Sequence, residues 1–225
     1  MINLENIQKK YRDTIIFESA NFHADAGQIV LILGKSGIGK TTLLEIIAGL
    51  RTLDSGEYVY QGSKLSFADD ETMSAFRNKH VGYILQDFAL IEDYTVVENL
   101  LLPVLYSQTV SREEAAAHAE SLAGKFGLSN VLDKKIKSVS GGQKQRVAII
   151  RSLILKPDIL LADEPTTNLD KENFQLIIDM FQELKKEGKC IIIATHDERI
   201  LEFADKVYQI EHKKITLLEK IKALE

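Results

Sequence analysis

Three glycines, a lysine and a threonine at fixed spacing are the residues of this chain best suited to chemistry. Residues 34–41 read G-K-S-G-I-G-K-T and directly follow the apolar run 29–33. Glycines adopt backbone angles closed to other residues, so the N–H groups of such a loop can approach an anion closely. A helix predicted over 40–48 would point its positive end at the same place. The pattern, set between a strand and a helix, predicts a loop that cradles the phosphates of a nucleotide.

Within this loop, two side chains add specific chemistry. Lys40 supplies a point charge for the β- and γ-phosphates, and the Thr41 hydroxyl is a ligand for Mg²⁺. A plain glycine-rich turn is the alternative, but it leaves the lysine–threonine pair at the required spacing unexplained. The residues expected to contact nucleotide here are Gly34, Lys35, Ser36, Gly37, Ile38, Gly39, Lys40, Thr41 and Thr42.

Two adjacent carboxylates, Asp163 and Glu164, end the apolar run 159–162. At the carboxyl end of a parallel strand they would face the ligand crevice. Asp163 suits Mg²⁺ binding, and Glu164 is a candidate general base that polarises an attacking water. An acidic strand end that caps a neighbouring helix is the alternative, and the phosphate-binding loop in the same chain makes it less attractive.

A third segment, residues 140–143, reads S-G-G-Q. Ser140 and Gln143 have the spacing of a capping box, so the segment predicts a helix start. Two glycines in a first helical turn each cost about 1 kcal/mol relative to alanine, which indicates that bare backbone is wanted there. A phosphate approaching the helix N-terminus would supply the reason, and it suggests a phosphate presented by another subunit.

Composition restricts the classes of protein that this chain can represent. Its 225 residues fit one large α/β domain or two small lobes. Its net charge of −5 argues against a protein that binds nucleic acid through electrostatic attraction. The single cysteine, Cys190, lies in an apolar strand and is predicted to be a buried structural thiol. No apolar stretch is long enough to span a bilayer, and the N-terminus lacks signal-peptide features, so we expect a cytoplasmic chain.

Hydrophobic patterning predicts strands that alternate with helices, and therefore an α/β fold with a mostly parallel sheet. The helical stretch 87–154 reads as an insertion between core strands, and a short helical tail is expected after Thr216. Predicted strands cover 2–7, 17–22, 29–33, 57–60, 81–85, 159–162, 190–194 and 207–210, and further helices cover 111–126 and 174–186.

The phosphate-binding loop, then V-S-G-G-Q-K-Q-R, L-L-A-D-E-P-T-T-N-L-D and A-T-H-D, in this order, closely resembles the ATP-binding cassette of ABC transporters. The resemblance covers almost the whole chain. It implies one ABC ATPase domain with a P-loop NTPase core, an N-terminal antiparallel β subdomain and an inserted helical subdomain. The core with its β subdomain would comprise 1–86 and 155–225, and the helical subdomain 87–154.

The resemblance also implies a head-to-tail homodimer. Each ATP would be sandwiched between the P-loop (residues 34–41) of one copy and the signature segment (residues 140–143) of the other. The signature residues are Ser140, Gly141, Gly142 and Gln143. Asp170 matches the loop that crosses the dimer interface.

Three further positions match family roles. Tyr11 lies where an aromatic ring stacks on adenine, although a surface or strand tyrosine is the alternative. Gln86 matches the glutamine that senses Mg²⁺ and the γ-phosphate. His196 matches the switch histidine at the γ-phosphate, where a structural strand-end histidine is the alternative. The implied catalytic set is Glu164, His196, Lys40 and Gln86, and the implied metal ligands are Thr41, Gln86 and Asp163.

Two positions depart from the family pattern: Ile38, where a small residue is common, and Val139, where leucine is usual. Both are apolar changes beside sites that use the backbone, so we expect small effects. His23, His80, His118 and His212 match no motif, and no role is assigned to them.

The resemblance implies an integral membrane permease as partner and a peripheral position at the inner face of the cell membrane, with no nucleic acid bound. Two segments, L-Q-D-F-A-L and T-V-V-E-N-L-L-L-P-V, make the chain similar to one branch of the family. This branch contains bacterial lipoprotein-release, macrolide-efflux and antimicrobial-peptide ATPases, and the chain resembles its bacteriocin exporters in particular. The alternative is a soluble ABC ATPase of DNA repair or translation. Such relatives usually carry coiled-coil insertions, zinc modules or two cassettes, which this chain lacks.

Overall fold

Two β-sheets and six α-helices make up the part of the chain that the computed structural model describes, namely residues 1–107, 109–167 and 169–218. The strands are β1 (Ile2–Tyr11), β2 (Thr14–Ala24), β3 (Ile29–Leu33), β4 (Ser55–Tyr60), β5 (Ser63–Leu65), β6 (Val81–Ile84), β7 (Ile159–Asp163), β8 (Cys190–Thr195), β9 (Lys206–Glu211) and β10 (Lys214–Leu218). The helices are α1 (Lys40–Ile47), α2 (Asp70–His80), α3 (Val96–Leu101), α4 (Arg112–Lys125), α5 (Gly141–Leu153) and α6 (Lys171–Lys186).

The larger sheet has the strand order β10-β9-β3-β8-β7-β6. From β9 to β6 all neighbouring strands are parallel, and only β10 runs antiparallel to its neighbour. The strands β7 and β8 are buried along their entire lengths. Continuous apolar runs of this kind are typical of parallel strands that have both faces covered.

Alternate residues of β3 face two separate apolar layers. Ile29 and Leu31 pack in the layer that contains residues of α3 to α6, whereas Val30 and Ile32 pack with α1 and the smaller sheet. The smaller sheet is antiparallel, in the order β2-β1-β4-β5. The predicted fold class, with its parallel core and N-terminal antiparallel sheet, is therefore confirmed.

Helix caps follow the sequence closely. Ser111 and Ser140 each form a reciprocal capping box with the residue three positions later, as their spacing predicts. Asp170 caps α6 by accepting a hydrogen bond from the backbone N–H of Asn173. These caps set where α4, α5 and α6 begin, and two of the three helices begin at residues predicted to be functional.

Two parts of the fold differ from the sequence-based expectation. Residues 216–218 belong to β10, so the helical tail expected after Thr216 is wrong there, and its remainder lies outside the described residues. Helix α2 was not expected, because it buries only Met73 and Phe76 and carries a weak apolar stripe. In β10, pairing with β9 decides the strand, which is a tertiary effect that local sequence does not encode.

The stretch 87–154 is helical throughout its named elements, with short 3₁₀ segments at Leu102–Tyr106, Ser129–Val131 and Ile136–Ser138. Its residues share one apolar layer with α6 and the core sheet. The division of the chain into subdomains at 86/87 and 154/155 stays a prediction. Within the described residues, no helix combines the length and apolar character needed to cross a bilayer.

Strand β6 meets the end of α5 through a glycine. A Cβ atom on the buried Gly82 would overlap the backbone oxygen of Ser152 and would lie 3.0 Å from Cγ of Pro157. Because one obstacle is backbone, the neighbour cannot rotate away. The close packing of β6 under α5 therefore depends on glycine at this position.

We expect Gly82→Ala to lower the free energy of unfolding by about 1–3 kcal/mol, the usual cost of overpacking. Gly124→Ala is the matched control, because Gly124 is an exposed residue of α4 whose Cβ would meet only Ser129 Oγ at 3.8 Å. Alanine there should raise the free energy of unfolding by up to about 1 kcal/mol through helix propensity. Urea titration followed by circular dichroism measures both, and equal effects of the two changes would contradict the packing argument.

Candidate functional site

Four neighbouring parallel strands bring the predicted site residues to one edge of the core sheet. The P-loop follows β3, Gln86 follows β6 closely, Glu164 follows β7, and His196 follows β8. Because β6, β7, β8 and β3 are adjacent and parallel, their carboxyl ends lie at the same edge. The topology therefore assembles residues that are up to 162 positions apart in the sequence (34 to 196).

A cavity of about 240 Å³ lies at this edge. It collects residues from all four strand ends and one residue of the antiparallel sheet. Its lining consists of Ile16, Ser36, Gly37, Gly39, Lys40, Thr41, Thr42, Gln86, Asp163, Glu164 and His196. Ten of these eleven residues, all except Ile16, are predicted site residues, so the fold brings them together.

The P-loop backbone has the conformation that only glycine adopts easily. Gly37 has φ +77° and Gly39 has φ +116°, and a Cβ on Gly39 would lie 2.6 Å from Cγ2 of Ile16. Gly39 also stands at the start of α1, where no side chain accepts a hydrogen bond from the first N–H groups. A helix N-terminus with unpaired donors and no side chain in the way is suited to an anion such as phosphate.

The Lys40 side chain is almost fully buried and turns back over the loop. Its Nζ donates to the carbonyl oxygen of Gly34 at 2.8 Å and lies 3.6 Å from Oε1 of Glu164. The positive charge therefore lies between the P-loop and the end of β7. A phosphate in the cavity would find this cation already oriented by backbone and carboxylate.

Asp163 is 5% exposed and accepts a hydrogen bond from the Thr41 hydroxyl, with 2.6 Å between Oγ1 and Oδ2. Burial raises the pKa of Asp163 above its ordinary value despite the Thr41 bond, and the charge of Glu164 raises it further. The Thr41 bond and the nearby charge of Lys40 therefore do not offset the burial of this carboxylate. Adjacent hydroxyl and carboxylate oxygens are the ligands that Mg²⁺ prefers, so these two residues fit a magnesium ion.

Glu164 occupies a left-handed backbone conformation with φ +51°, which is uncommon for a residue other than glycine. Its Oε1 lies 2.9 Å from Nδ1 of His196, and its Oε2 accepts a hydrogen bond from the Thr195 hydroxyl at 3.0 Å. Burial opposes ionisation, but the bonds from His196 and Thr195 outweigh it and lower the pKa of Glu164. The side chain is therefore an ionised acceptor held at the cavity wall.

Tyr11 is absent from the residues that line this cavity. Its ring is 37% exposed at the end of β1, and it lies 5.4 Å from Nζ of Lys9 and 5.6 Å from the guanidinium carbon of Arg51. Ile16, which sequence reasoning missed, brings the antiparallel sheet to the P-loop together with Phe17, since both lie close to Gly39. The adenine-stacking role of Tyr11 stays a prediction.

The signature segment and Asp170 also lie outside the lining of the cavity. Ser140 is exposed at the start of α5, and Asp170 is exposed at the start of α6. Within the described residues, the predicted nucleotide-binding positions therefore form two groups, and the two groups do not share one cavity. The P-loop group has a cavity, and the signature group has an exposed helix start.

Sequence reasoning missed Arg151, which fixes the backbone that follows Gln86. Its two terminal nitrogens donate to the carbonyl oxygens of Phe88 and Ala89, both at 2.6 Å. Phe88 and Ala89 have φ angles of +61° and +44°, so one guanidinium holds two consecutive residues in the left-handed region. Nothing local in the sequence marks this contact, because its partners are more than 60 residues apart.

Comparison with known protein families agrees with the resemblance that the sequence motifs indicate. The sequence profile of the ABC transporter family matches residues 17–167. The lipoprotein-releasing system ATP-binding protein LolD of Francisella tularensis is 34% identical, over 97% of this chain and 96% of its own length. LolD of Buchnera aphidicola is 36% identical, over 96% of each chain. The macrolide export ATP-binding/permease protein MacB of Pasteurella multocida is 34% identical, and the match covers only 34% of its length.

Solved structures agree with these sequence matches. The dimeric structure of the bacterial ABC transporter cassette MJ0796 superposes with a TM-score of 0.85 at 32% identity, over 96% of each chain. A dimeric post-hydrolysis state of the same cassette, bound to ADP and Pi, superposes with a TM-score of 0.85 at 29% identity. This match covers 98% of this chain and 99% of that one.

The Thr195 hydroxyl gives a direct test of the electrostatics of this site. Thr195→Val keeps the shape of the fully buried side chain but removes the donor to Glu164, so the ionised carboxylate loses stabilisation and its pKa rises. Thr195→Ser keeps the donor and is the matched control. Carboxyl ¹³C NMR titration of the glutamate-labelled chain measures the pKa, and an unchanged or lower value in Thr195→Val would refute the contribution of the hydroxyl.

Proposed function

The chain belongs to the ABC transporter family as an ATPase that drives a membrane transporter, and we propose that it works as a head-to-tail homodimer beneath a separate permease. The observation that carries the proposal is the separation of the two nucleotide-binding groups. The P-loop cavity holds Lys40 and Glu164, whereas residues 140–143 lie outside it, at the solvent-accessible start of α5. A second copy would supply its signature segment to the cavity of the first.

ATP would bind with its phosphates on the P-loop. The contacts would come from the N–H groups of residues 34–42, the charge of Lys40 and, across the dimer, Ser140, Gly141, Gly142 and Gln143. Glycine at 37 and 39 supports this assignment, because the left-handed backbone presents donors without side chains in the way. Tyr11 would stack on adenine from the end of β1, and Asp170 would contact the partner.

Thr41 and Asp163 would hold Mg²⁺, with Gln86 reaching the same region from the end of β6. When bound, the ion supplies positive charge that neutralises the phosphate oxygens. The buried Asp163 carboxylate supports the assignment, since burial raises its pKa and neither the Thr41 bond nor the Lys40 charge offsets that rise. Within the described residues no cluster of three or more acidic, histidine or cysteine side chains forms a metal site.

Glu164 would act as the general base in hydrolysis. Its ionised carboxylate would orient a water molecule and take its proton as the water oxygen attacks the γ-phosphorus and the bond to the ADP oxygen breaks. Lys40, 3.6 Å from the carboxylate, would stabilise the charge that develops on the phosphate. His196 contacts Glu164 in the free chain, and on ATP binding it would turn to the γ-phosphate.

The permease would dock on residues 87–106, which follow Gln86. Leu105 and Tyr106 are 71% and 82% exposed there, and such large apolar side chains in water favour a protein contact. This partner would place the chain at the cytoplasmic face of the membrane, with no nucleic acid bound. Since its relatives are named for lipoprotein release and macrolide export, we favour export or mechanotransmission of a peptide, lipid or drug-like substrate.

Glu164→Gln tests the assignment of the base. The amide keeps the shape of the side chain but cannot take a proton, so we expect ATP binding to persist and hydrolysis to slow by about a hundredfold or more. Glu57→Gln is the matched control, because Glu57 lies outside the cavity and pairs with the exposed Lys64. A phosphate-release assay compares the two variants, and parental turnover in Glu164→Gln would eliminate Glu164 as the base.

Cysteine cross-linking tests the head-to-tail arrangement. Ser36 and Ser138 are exposed and flank the two halves of the proposed site, so a chain with Ser36→Cys and Ser138→Cys should cross-link between copies only when ATP is present. The native Cys190 should not compete, because burial raises the pKa of its thiol to about 12. Each single-cysteine variant serves as a control. Cross-linking that is absent, or independent of ATP, would count against the sandwich.

A further inference from the structure

The two glycines of the signature segment have different surroundings within their own chain. Neither Gly141 nor Gly142 has a left-handed φ angle, so backbone conformation does not require glycine at either position. A Cβ atom on Gly141 would meet nothing within 4 Å. A Cβ atom on Gly142 would overlap the amide oxygen of Asn173 and would lie 2.7 Å from its Cγ. Only Gly142 is therefore explained by contact within the chain.

Asn173 lies in the first turn of α6 and holds the loop that precedes it. Its amide nitrogen donates to both carboxylate oxygens of Asp170, at 3.1 and 2.9 Å, and its backbone N–H donates to the same carboxylate at 2.8 Å. One residue thus makes three hydrogen bonds to Asp170. The oxygen of the same amide occupies the space that a Cβ of Gly142 would take, where α5 begins.

The start of α6 is also tied to the loop that carries His196. The guanidinium carbon of Arg199 lies 4.4 Å from the ring centroid of Phe174, the residue that follows Asn173. Arg199 also pairs with Asp197, the neighbour of His196, at 2.7 Å. Hence the first turn of α6 contacts the loop of His196 through Phe174 and lies against the start of α5 through Asn173.

We propose that Asn173 is a positioning residue that fixes the Asp170 loop to the first turn of α5, so that Asp170 and the signature segment form one preorganised surface for the partner. The inference rests on the proposed head-to-tail dimer for its functional consequence, but not for the contact itself. It assigns the glycine at 142 to packing within the chain.

Two substitutions at Asn173 separate its bulk from its hydrogen bonds. Asn173→Ala removes Cγ and the amide, which frees the space beside Gly142, and it keeps the backbone N–H that caps α6. Asn173→Asp keeps the bulk but sets a carboxylate against Asp170. Combined with Gly142→Ala, the first change should relieve the overlap and the second should not.

ATP-dependent dimerisation gives the readout, measured by light scattering in the Glu164→Gln background. We expect Gly142→Ala to raise the ATP concentration needed for half-dimerisation about tenfold or more, as overpacking displaces Asn173. Gly142→Ala with Asn173→Ala should recover most of that loss, and Gly142→Ala with Asn173→Asp should recover none. Gly141→Ala should weaken dimerisation with no rescue from Asn173→Ala. Thermal unfolding of each variant checks that it is folded.

Failure of rescue, with a parent that dimerises, would overturn the inference and leave the proposed function standing. A parent that forms no dimer with ATP would refute the proposed function instead. Hydrogen exchange of the isolated chain then decides the inference separately. Asn173→Ala should speed amide exchange at residues 141–144 in the first turn of α5, and unchanged exchange there would overturn the proposal whatever the dimer does.

Discussion

Two adjacent carboxylates at the end of a buried strand must be kept apart, and much of the site follows from how this is done. Asp163 continues the strand and meets the Thr41 hydroxyl at 2.6 Å. Glu164 takes a left-handed φ of +51°, and its carboxylate meets Thr195 and His196 instead. Burial raises the pKa of the first group, and hydrogen bonds lower that of the second. One strand end therefore places the proposed cation ligand beside the proposed base.

Helix α5 connects two regions of the molecule that do not line the cavity. Its first turn carries the signature glycines and touches Asn173, and near its last turn Arg151 holds the carbonyl oxygens of Phe88 and Ala89. A helix of 13 residues is about 20 Å long and transmits displacement with little bending. A movement at the proposed nucleotide interface would therefore reach the segment that follows Gln86. The same helix packs over Gly82, which limits how far it can shift without moving β6.

The parts of this molecule that the sequence predicted are those that local backbone chemistry encodes. Capping boxes at Ser111 and Ser140, the glycines of the P-loop and the apolar parallel strands each need only neighbouring residues. The contacts that sequence reasoning missed join distant segments: Thr195 with Glu164, Arg151 with Phe88, and Asn173 with Gly142. Their side chains are common types without characteristic spacing. The strand at 214–218 was missed for the same reason, because only its pairing with β9 makes it a strand.

The position of β3 in the sheet has a consequence for the order in which the molecule can form. The P-loop strand lies between β8 and β9, whose paired residues come 162 and 176 positions later in the chain (29 to 191 and 30 to 206). During synthesis the P-loop emerges early, yet both neighbours of its strand are made in the last sixth of the chain. Loop closure over such a separation makes the pairing slow and non-local. A nascent chain that ends before β8 would carry the P-loop without the two strands that flank β3, and β3 would be open to other pairings until they are made.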